Sequence, residues 1–365
     1  MKIAIDARTM GSRPSGVGMY LYDFLKVMIG YSEFEFVLLS DVAESEYIQY
    51  FISKGVPVIV QGKSVYRSVS VYSYFDFIKK QLQHIKPDIF WEVNTLIPVR
   101  LKGDFKTMIT VHDMFPIEYV EYFGKVYSTY FKWNLAKTLR RTDMILYNSQ
   151  QTKHTTEHIF PSAKKIASCN AYIIASPLKE KPEVSDKGYL LYVGNMEKRK
   201  GVDLLLKGYR RYRQMGGTRE LILAGKMQEE DIGKLLEQTA EATDGITYLD
   251  YVSHNRKMQL FAECSCFVFP SKAEGFGMPV IEVMKFGKPI LVGNLDIYTE
   301  IAGDAVNRFD LNTTPQQQVE NLAKALRDFS PVADTKKYAQ IVAKYSPEKL
   351  GNRVRKFVLQ EMRKS

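Results

Sequence analysis

Phe269-Pro270-Ser271-Lys272-Ala273-Glu274-Gly275-Phe276-Gly277-Met278-Pro279-Val280-Ile281-Glu282 joins a strand to a helix through a glycine-rich loop. The strand is the buried-looking run Cys266–Phe269, and Pro279 is expected to open the helix, where its missing N–H is no loss. Glu274 then lies on the loop and Glu282 in the first helical turn, both facing the free N–H groups of a helix start. Such an end attracts phosphate. Two carboxylates beside an anion site suit a ligand with hydroxyls on both sides of its phosphates, as a nucleotide sugar has. A capped turn with unrelated carboxylates has the same local pattern, so the segment alone leaves both readings open.

Working outward, the same strand–loop–helix unit recurs along the chain. Short apolar, β-branched runs appear at Lys2–Asp6, Phe34–Leu39, Pro57–Val60, Ile89–Glu92, Met108–Val111 and Met144–Tyr147. A second series follows at Tyr189–Val193, Leu221–Ala224, Ile246–Leu249, Cys266–Phe269 and Pro289–Val292. Helical patterns lie between them, including Met19–Ile29, Tyr74–Lys86, Tyr127–Arg140, Val202–Met215, Gln228–Ala242, His254–Glu263 and Val280–Phe286. Strands alternating with helices predict parallel sheets covered on both faces. The expected fold is therefore α/β, with two Rossmann-like domains over residues 1–174 and 186–345. The charged, proline-bearing stretch 175–185 reads as the linker. Ligands bind beyond the carboxyl ends of the strands in such domains, so a cleft between them is the expected site.

The chain's 365 residues are too many for one ordinary core, which agrees with two domains. Hydrophobic residues make up 45% and charged ones 25%, a soluble globular balance. No apolar run approaches the roughly 18 residues of a membrane span. Met1-Lys2-Ile3-Ala4-Ile5-Asp6 reads as a buried strand and not as a signal peptide. Three cysteines, Cys169, Cys264 and Cys266, form neither a metal-spaced set nor a disulfide framework. Cys264 and Cys266 are expected to alternate on a strand, and a cytoplasmic location is expected. The formal charge of +10 is spread without an arginine-rich arm or a nucleic-acid module. It points to anionic small substrates or an anionic membrane surface, and no nucleic-acid partner is expected.

The loops after strands carry the remaining chemistry. Asp6-Ala7-Arg8 leads to Ser15-Gly16-Val17-Gly18 at a helix start, where Gly16 and Gly18 would let backbone N–H groups approach a ligand oxygen. Leu21 replaces the last glycine of the dinucleotide fingerprint, and a tight turn would use the same residues. His112 falls just past a strand end, either facing a ligand or satisfied by backbone. Gly194-Asn195-Met196-Glu197-Lys198-Arg199-Lys200-Gly201 places a cation cluster between a strand and a helix. It can neutralise a pyrophosphate, although a solvated charge run looks alike. Lys226 also directly follows a strand with its glycine, and Val252 lies where backbone could meet a base.

The order of these motifs resembles the retaining glycosyltransferases of the GT-B fold, in glycosyltransferase family 4. The resemblance runs from Ile5-Asp6-Ala7-Arg8 through Val111-His112-Asp113 to Gly303-Asp304-Ala305. It is strongest where two glutamates, Glu274 and Glu282, stand eight positions apart. It implies that Glu274 bonds hydroxyls of the donor sugar and Glu282 the ribose. The backbone at Phe276, Gly277 and Met278 would meet the sugar and β-phosphate. Lys200, helped by Arg199, would clamp the pyrophosphate, Val252 would read the base, and Gly16–Gly18 would close over the phosphates. His112 would contact the donor sugar or guide the acceptor. The last helical stretch, Leu350 to Met362 within about 348–365, would return to the first domain. Asn195 stands where members commonly carry arginine, and Arg199 is the candidate replacement.

The resemblance also implies retention of configuration, with a donor phosphate oxygen taking the acceptor proton. No Asp-x-Asp pair occurs in the chain, so neither cofactor nor metal is expected and the nucleotide sugar is a substrate. A hexose, mannose from GDP-mannose first, would pass to a glycan or lipid-linked acceptor of surface polysaccharide assembly. Rhamnose, glucose or GlcNAc from dTDP or UDP donors is the alternative, as is an inactive GT-B scaffold. On the acceptor side Lys63, Tyr66, Arg67, Tyr72, Tyr74, Phe75, Phe77, Lys79 and Lys80 interleave basic and aromatic residues, as a membrane-facing surface would. The stripe Val71, Phe75, Ile78, Leu82 and Ile85 is better read as a core helix.

Overall fold

The computed structural model describes residues 1–12, 15–64, 70–98, 101, 103–174 and 182–364. Two compact units emerge: Met1–Ser176 together with Tyr345–Ser365, and Pro177–Lys344. Most of the stretch expected to be the linker, and Tyr66, Arg67 and the Val71 side chain, lie outside the described residues.

The first unit is built on β1 (Lys2–Asp6), β2 (Glu35–Ser40), β3 (Val58–Val60), β4 (Ile89–Glu92), β5 (Lys106–Val111), β6 (Met144–Tyr147) and β7 (Ala167–Asn170). They form one sheet in the order β3-β2-β1-β4-β5-β6-β7, parallel throughout. The centre is set by Ile3 against Ile89, Ala4 against Phe90 and Ile5 against Trp91. β4 and β6 are buried at every position, which is why their sequences are continuous apolar runs. Tyr74, Ile78 and Leu82 of the helix Ser70–Ile85 join Phe90, Ile109 and Leu135 in the core on one face. That helix stops where Lys86 takes φ +46, a left-handed C-terminal geometry.

The second unit carries β8 (Tyr189–Val193), β9 (Glu220–Ala224), β10 (Ile246–Tyr248), β11 (Cys266–Phe269), β12 (Ile290–Gly293) and β13 (Asn307–Phe309). Their order is β10-β9-β8-β11-β12-β13, again all parallel. In each sheet the chain starts at the centre, builds outward, returns and builds the other way. The reversals fall between β1 and β4 and between β8 and β11, the switch points at which open α/β sheets bind ligands.

Three expectations need correction. β7 and β13 were not expected as strands. Cys264 ends the helix His254–Glu263 and does not alternate with Cys266 on β11. The helix after β11 is Met278–Met284, so Pro279 is its second residue and Glu282 lies beyond the first turn, which holds no acidic residue. Gly277, with φ +85, lets the chain turn into the helix one residue before the proline. Among the described residues no helix is long and apolar enough to cross a membrane.

Candidate functional site

In the second unit, β8 and β11 are neighbours, so the loops leaving their carboxyl ends lie side by side. The first loop folds into a single 3-10 turn, Lys198–Lys200, and Gly201 with φ +70 starts the helix Val202–Gln214. A Cβ at Gly201 would overlap the carbonyl oxygen of Pro270, so glycine allows the two loops to touch. Lys272 N–H donates to Arg199 O at 2.9 Å, and Arg199 Nη1 donates to Ala273 O at 3.1 Å. Lys272 Nζ donates to Asp203 at 2.8 Å and 2.9 Å.

Those ties put Lys200 Nζ 2.5 Å from Glu274 Oε1. Ser271 Oγ donates to the same oxygen at 2.8 Å. The two charged side chains are only 17% and 7% exposed, and the ammonium lies 5.4 Å from the Phe269 ring centre. A buried pair of this kind is costly to desolvate and is a weak reason for stability. It concentrates a cation and a hydrogen-bonding carboxylate at one point beyond a switch-point strand.

Arg199 takes a different position from the one expected of a clamp. Its Nη2 is 2.5 Å from Glu197 Oε1, and its other arm holds the Ala273 carbonyl. This guanidinium braces the loop that carries Glu274. Asn195 is exposed, and its carbonyl accepts the Tyr192 hydroxyl at 2.8 Å. Glu282 accepts from Lys257 Nζ at 2.8 Å and 3.1 Å, a partner on the helix His254–Glu263. Phe276 is buried, and a Cβ at Gly277 would come within 3.0 Å of the Tyr298 ring. Lys226 is exposed with its ammonium 5.0 Å from the Tyr251 ring centre, and Val252 follows that exposed tyrosine. Glu197, Ser271 and Lys257 were not among the expected site residues. Lys257 reaches Glu282 from 25 positions away, and no local pattern announces such a contact.

In the first unit His112 follows β5, with Nε2 2.9 Å from Val93 O. An acceptor there requires Nε2 to carry the proton, which leaves Nδ1 as the acceptor. Burial pushes the imidazole pKa down to about 4, against the opposing pull of the Val93 carbonyl. His112 is therefore neutral at neutral pH, and Tyr20 meets it edge-on at 5.0 Å between ring centres. Gly18 serves local structure: its N–H donates to Ser15 Oγ at 3.3 Å, and a Cβ would overlap Thr9 O. Gly16 is exposed, with nothing within 4 Å of a Cβ placed there.

The switch point of this unit holds a buried acid pair, Asp6 at the end of β1 and Glu92 at the end of β4. Arg8 approaches Asp6 at 3.4 Å and Glu92 at 3.7 Å, and Tyr74 Oη donates to Asp6 Oδ1 at 2.8 Å. Burial raises the Glu92 carboxyl well above its ordinary range; the Asp6 charge adds to this and Arg8 opposes it. A cavity of about 400 Å³ lined by Ile97, Phe105, Thr107 and Asp143 opens at the other end of the sheet, where β5 and β6 begin. It therefore lies away from the carboxyl ends that carry these groups.

Residues 177–360, half of the chain, match the family model for glycosyl transferases group 1. The chain belongs to the glycosyl transferases group 1 family. Residues 14–167 match a second model, glycosyltransferase family 4. Among relatives of this group 1 member, O-antigen chain mannosyltransferase B of Escherichia coli is 31% identical over 237 residues. That match covers 61% of this chain and 61% of the relative's length. O-antigen chain mannosyltransferase RfbU of Salmonella typhimurium is 25% identical over 303 residues, 79% of this chain and 81% of that protein. The fold agrees with the solved Anabaena Alr3699/HepE, crystallised with UDP and glucose, at TM-score 0.73 and 17% identity over 99% of this chain and 100% of that one. Sucrose-phosphate synthase of Thermosynechococcus elongatus gives TM-score 0.76 at 14% identity, covering all of both chains. The two Rossmann-like units of this group 1 chain are thus of the GT-B fold class.

Proposed function

We propose that this chain is a retaining hexosyltransferase that moves mannose from GDP-mannose to a glycan or lipid-linked acceptor in surface polysaccharide assembly. It would work on the cytoplasmic side of the membrane. The observation that carries the reading is the Lys200–Glu274 pair at 2.5 Å beyond β8 and β11, with Glu282 eight positions on. The mannosyltransferase names of the relatives support the choice of sugar.

In this reading Lys200 moves its charge onto the donor pyrophosphate and neutralises the diphosphate as it leaves. One well-placed donor of this kind contributes roughly 3 kcal/mol of transition-state stabilisation. Glu274, released from the lysine, accepts hydrogen bonds from hydroxyls of the sugar. Glu282 takes the ribose hydroxyls, and backbone N–H groups at Phe276, Gly277 and Met278 meet the sugar and β-phosphate. The base rests against backbone at Val252, with Lys226 nearby. Arg199 keeps the loop in place while Lys200 carries the phosphate charge, which answers for the uncharged Asn195. Gly16 offers its backbone to the donor phosphates, while Gly18, whose N–H is held by Ser15, shapes the turn. His112, neutral with a bare Nδ1, orients a hydroxyl of donor or acceptor. No metal takes part: a donor phosphate oxygen receives the acceptor proton, so activity persists in EDTA.

Two measurements test this. Thermal shift against GDP, UDP, dTDP and ADP should single out GDP, with about 2.7 kcal/mol of stabilisation at about 100-fold excess over Kd. Transfer of mannose from GDP-mannose to a lipid-linked glycan should then be seen with the anomeric configuration kept. A UDP response would favour a glucose or GlcNAc donor, the reading to which HepE with UDP and glucose lends support. No response to any nucleotide would leave the inactive scaffold.

A further inference from the structure

The helix Lys125–Leu139 has two apolar faces. Phe131, Leu135 and Leu139 point into the core of the first unit, as expected of any surface helix. Its outer face is apolar as well. Val126, Tyr127, Tyr130 and Trp133 are 87%, 47%, 52% and 60% exposed. They are four of the nine large apolar side chains that the described residues leave exposed, so the concentration on one helix is not ordinary surface scatter. Val126, Tyr130, Trp133 and Lys137 follow at i, i+4, i+7 and i+11 and line one stripe. Tyr127 stacks between Phe123 and Tyr130, with ring centres 6.3 and 6.4 Å apart, so the aromatic strip is preassembled.

The charge on this element selects the partner. From Lys125 to Arg141 the chain carries Lys125, Lys132, Lys137, Arg140 and Arg141 and no Asp or Glu. Protein interfaces are depleted of lysine at their centres. Aromatic rings beside lysines are what a headgroup layer accommodates, with rings at the interface and cations reaching lipid phosphates. The net charge of +10 favours the same anionic partner.

We propose that the outer face of the helix Lys125–Leu139 docks on an anionic lipid bilayer, Val126, Tyr130 and Trp133 entering the headgroup layer and the flanking cations binding lipid phosphates. The sequence had directed attention to residues 63–80 instead, where Tyr74 is buried and Phe75 and Phe77 pack on the core. The inference deepens the proposed use of a lipid-linked acceptor, yet its binding assay needs neither donor nor acceptor.

The full chain is sedimented with phosphatidylcholine vesicles, with and without phosphatidylglycerol. Binding is expected only with phosphatidylglycerol, and it weakens as salt rises. Tyr130→Ser with Trp133→Ser should lower the partition coefficient at least about tenfold, and Lys132→Glu with Arg140→Glu should abolish the preference for the anionic lipid. All four positions are exposed, so circular dichroism and melting temperature should match the parent. Mannose transfer to a water-soluble acceptor should be unchanged in these variants, which separates failure of the surface from failure of the proposed reaction. Parent that stays in solution with anionic vesicles, or variants that bind like parent, would overturn the proposal. So would light scattering showing a parent dimer that these substitutions split, since the partner would then be a second copy.

Discussion

Glu274 and Glu282 look equivalent in the sequence, and their surroundings separate them. Glu274 is 7% exposed between Lys200 and Ser271, whereas Glu282 sits on a helix and pairs with Lys257. Glu274→Ala should lower kcat by about 100-fold or more with little change in nucleotide affinity, because in the proposed reaction it holds the transferred sugar. Glu282→Ala should instead weaken donor binding about 10-fold to 100-fold, the worth of charged hydrogen bonds, with kcat nearly kept. Steady-state kinetics with nucleotide titration distinguishes the two, and matching losses would sink the division of roles. Glu92 makes a separate prediction. Asp6 Oδ2 and Glu92 Oε2 are buried oxygens that accept no hydrogen bond, although Arg8 Nε stands 3.4 Å from Asp6 Oδ2, and a proton held by Glu92 lets one acid serve the other. The folded chain keeps this proton where the unfolded chain has released it. Stability should therefore fall as pH rises above the ordinary glutamate range, by at most about 1.4 kcal/mol per pH unit until the folded carboxyl ionises. In Glu92→Gln the amide replaces the proton, so chemical denaturation should show a smaller decline with pH than in the parent. Parallel pH curves for the two proteins would rule out the shared proton.

At the scale of the element, Gly201 makes the site. It ends the 3-10 turn of Lys200 at φ +70 and clears the Pro270 carbonyl of the facing loop. Gly201→Ala adds backbone strain of about 1–3 kcal/mol and a clash with backbone. Calorimetry should show a lower melting temperature for the second unit, and nucleotide affinity should drop with it because Lys200 shifts relative to Glu274. An alanine variant with unchanged affinity would show that the two loops are not coupled in this way. The same elements explain what could be read beforehand. β1, β4, β6, β8 and β11 were legible to the residue, since strands covered on both faces must be apolar runs. β7, Ala167-Ser168-Cys169-Asn170, and β13, Asn307-Arg308-Phe309, are edge strands with mixed side chains, and neither carries such a run. Lys200 and Glu274 were visible because each follows a central strand, where position marks a ligand-facing end. Their mutual pairing, the bracing role of Arg199 and the Lys257 partner of Glu282 are contacts between distant segments. They depend on strand order, which periodicity does not encode.

For the whole molecule, the chain leaves the first unit, forms the second, and comes back at Tyr345 to finish the first. The returning helix Pro347–Arg363 begins at Ser346, whose side chain caps the Lys349 N–H. Leu350, Val354 and Val358 recur at i, i+4 and i+8 and are buried, and Gly351 lets the helix approach Val27 of the helix Gly16–Met28. Polar ties reach three further places: Arg353 donates to Asn170 O of β7 at 3.1 Å, Lys106 of β5 donates to Glu361 O at 3.0 Å, and Arg355 Nε donates to Glu33 at 3.0 Å. The ion pair at Arg355 is only partly buried and contributes little, so the apolar stripe supplies most of the hold. Leu350→Ala with Val354→Ala should therefore cost the first unit roughly 3–6 kcal/mol, the usual penalty for emptied core positions. The second unit keeps all of its own core in that variant. Calorimetry should resolve a transition that falls by many degrees and one that stays, and the one that stays should be the one raised by added nucleotide. If both transitions fall together, the returning helix stabilises more than the unit it is packed in.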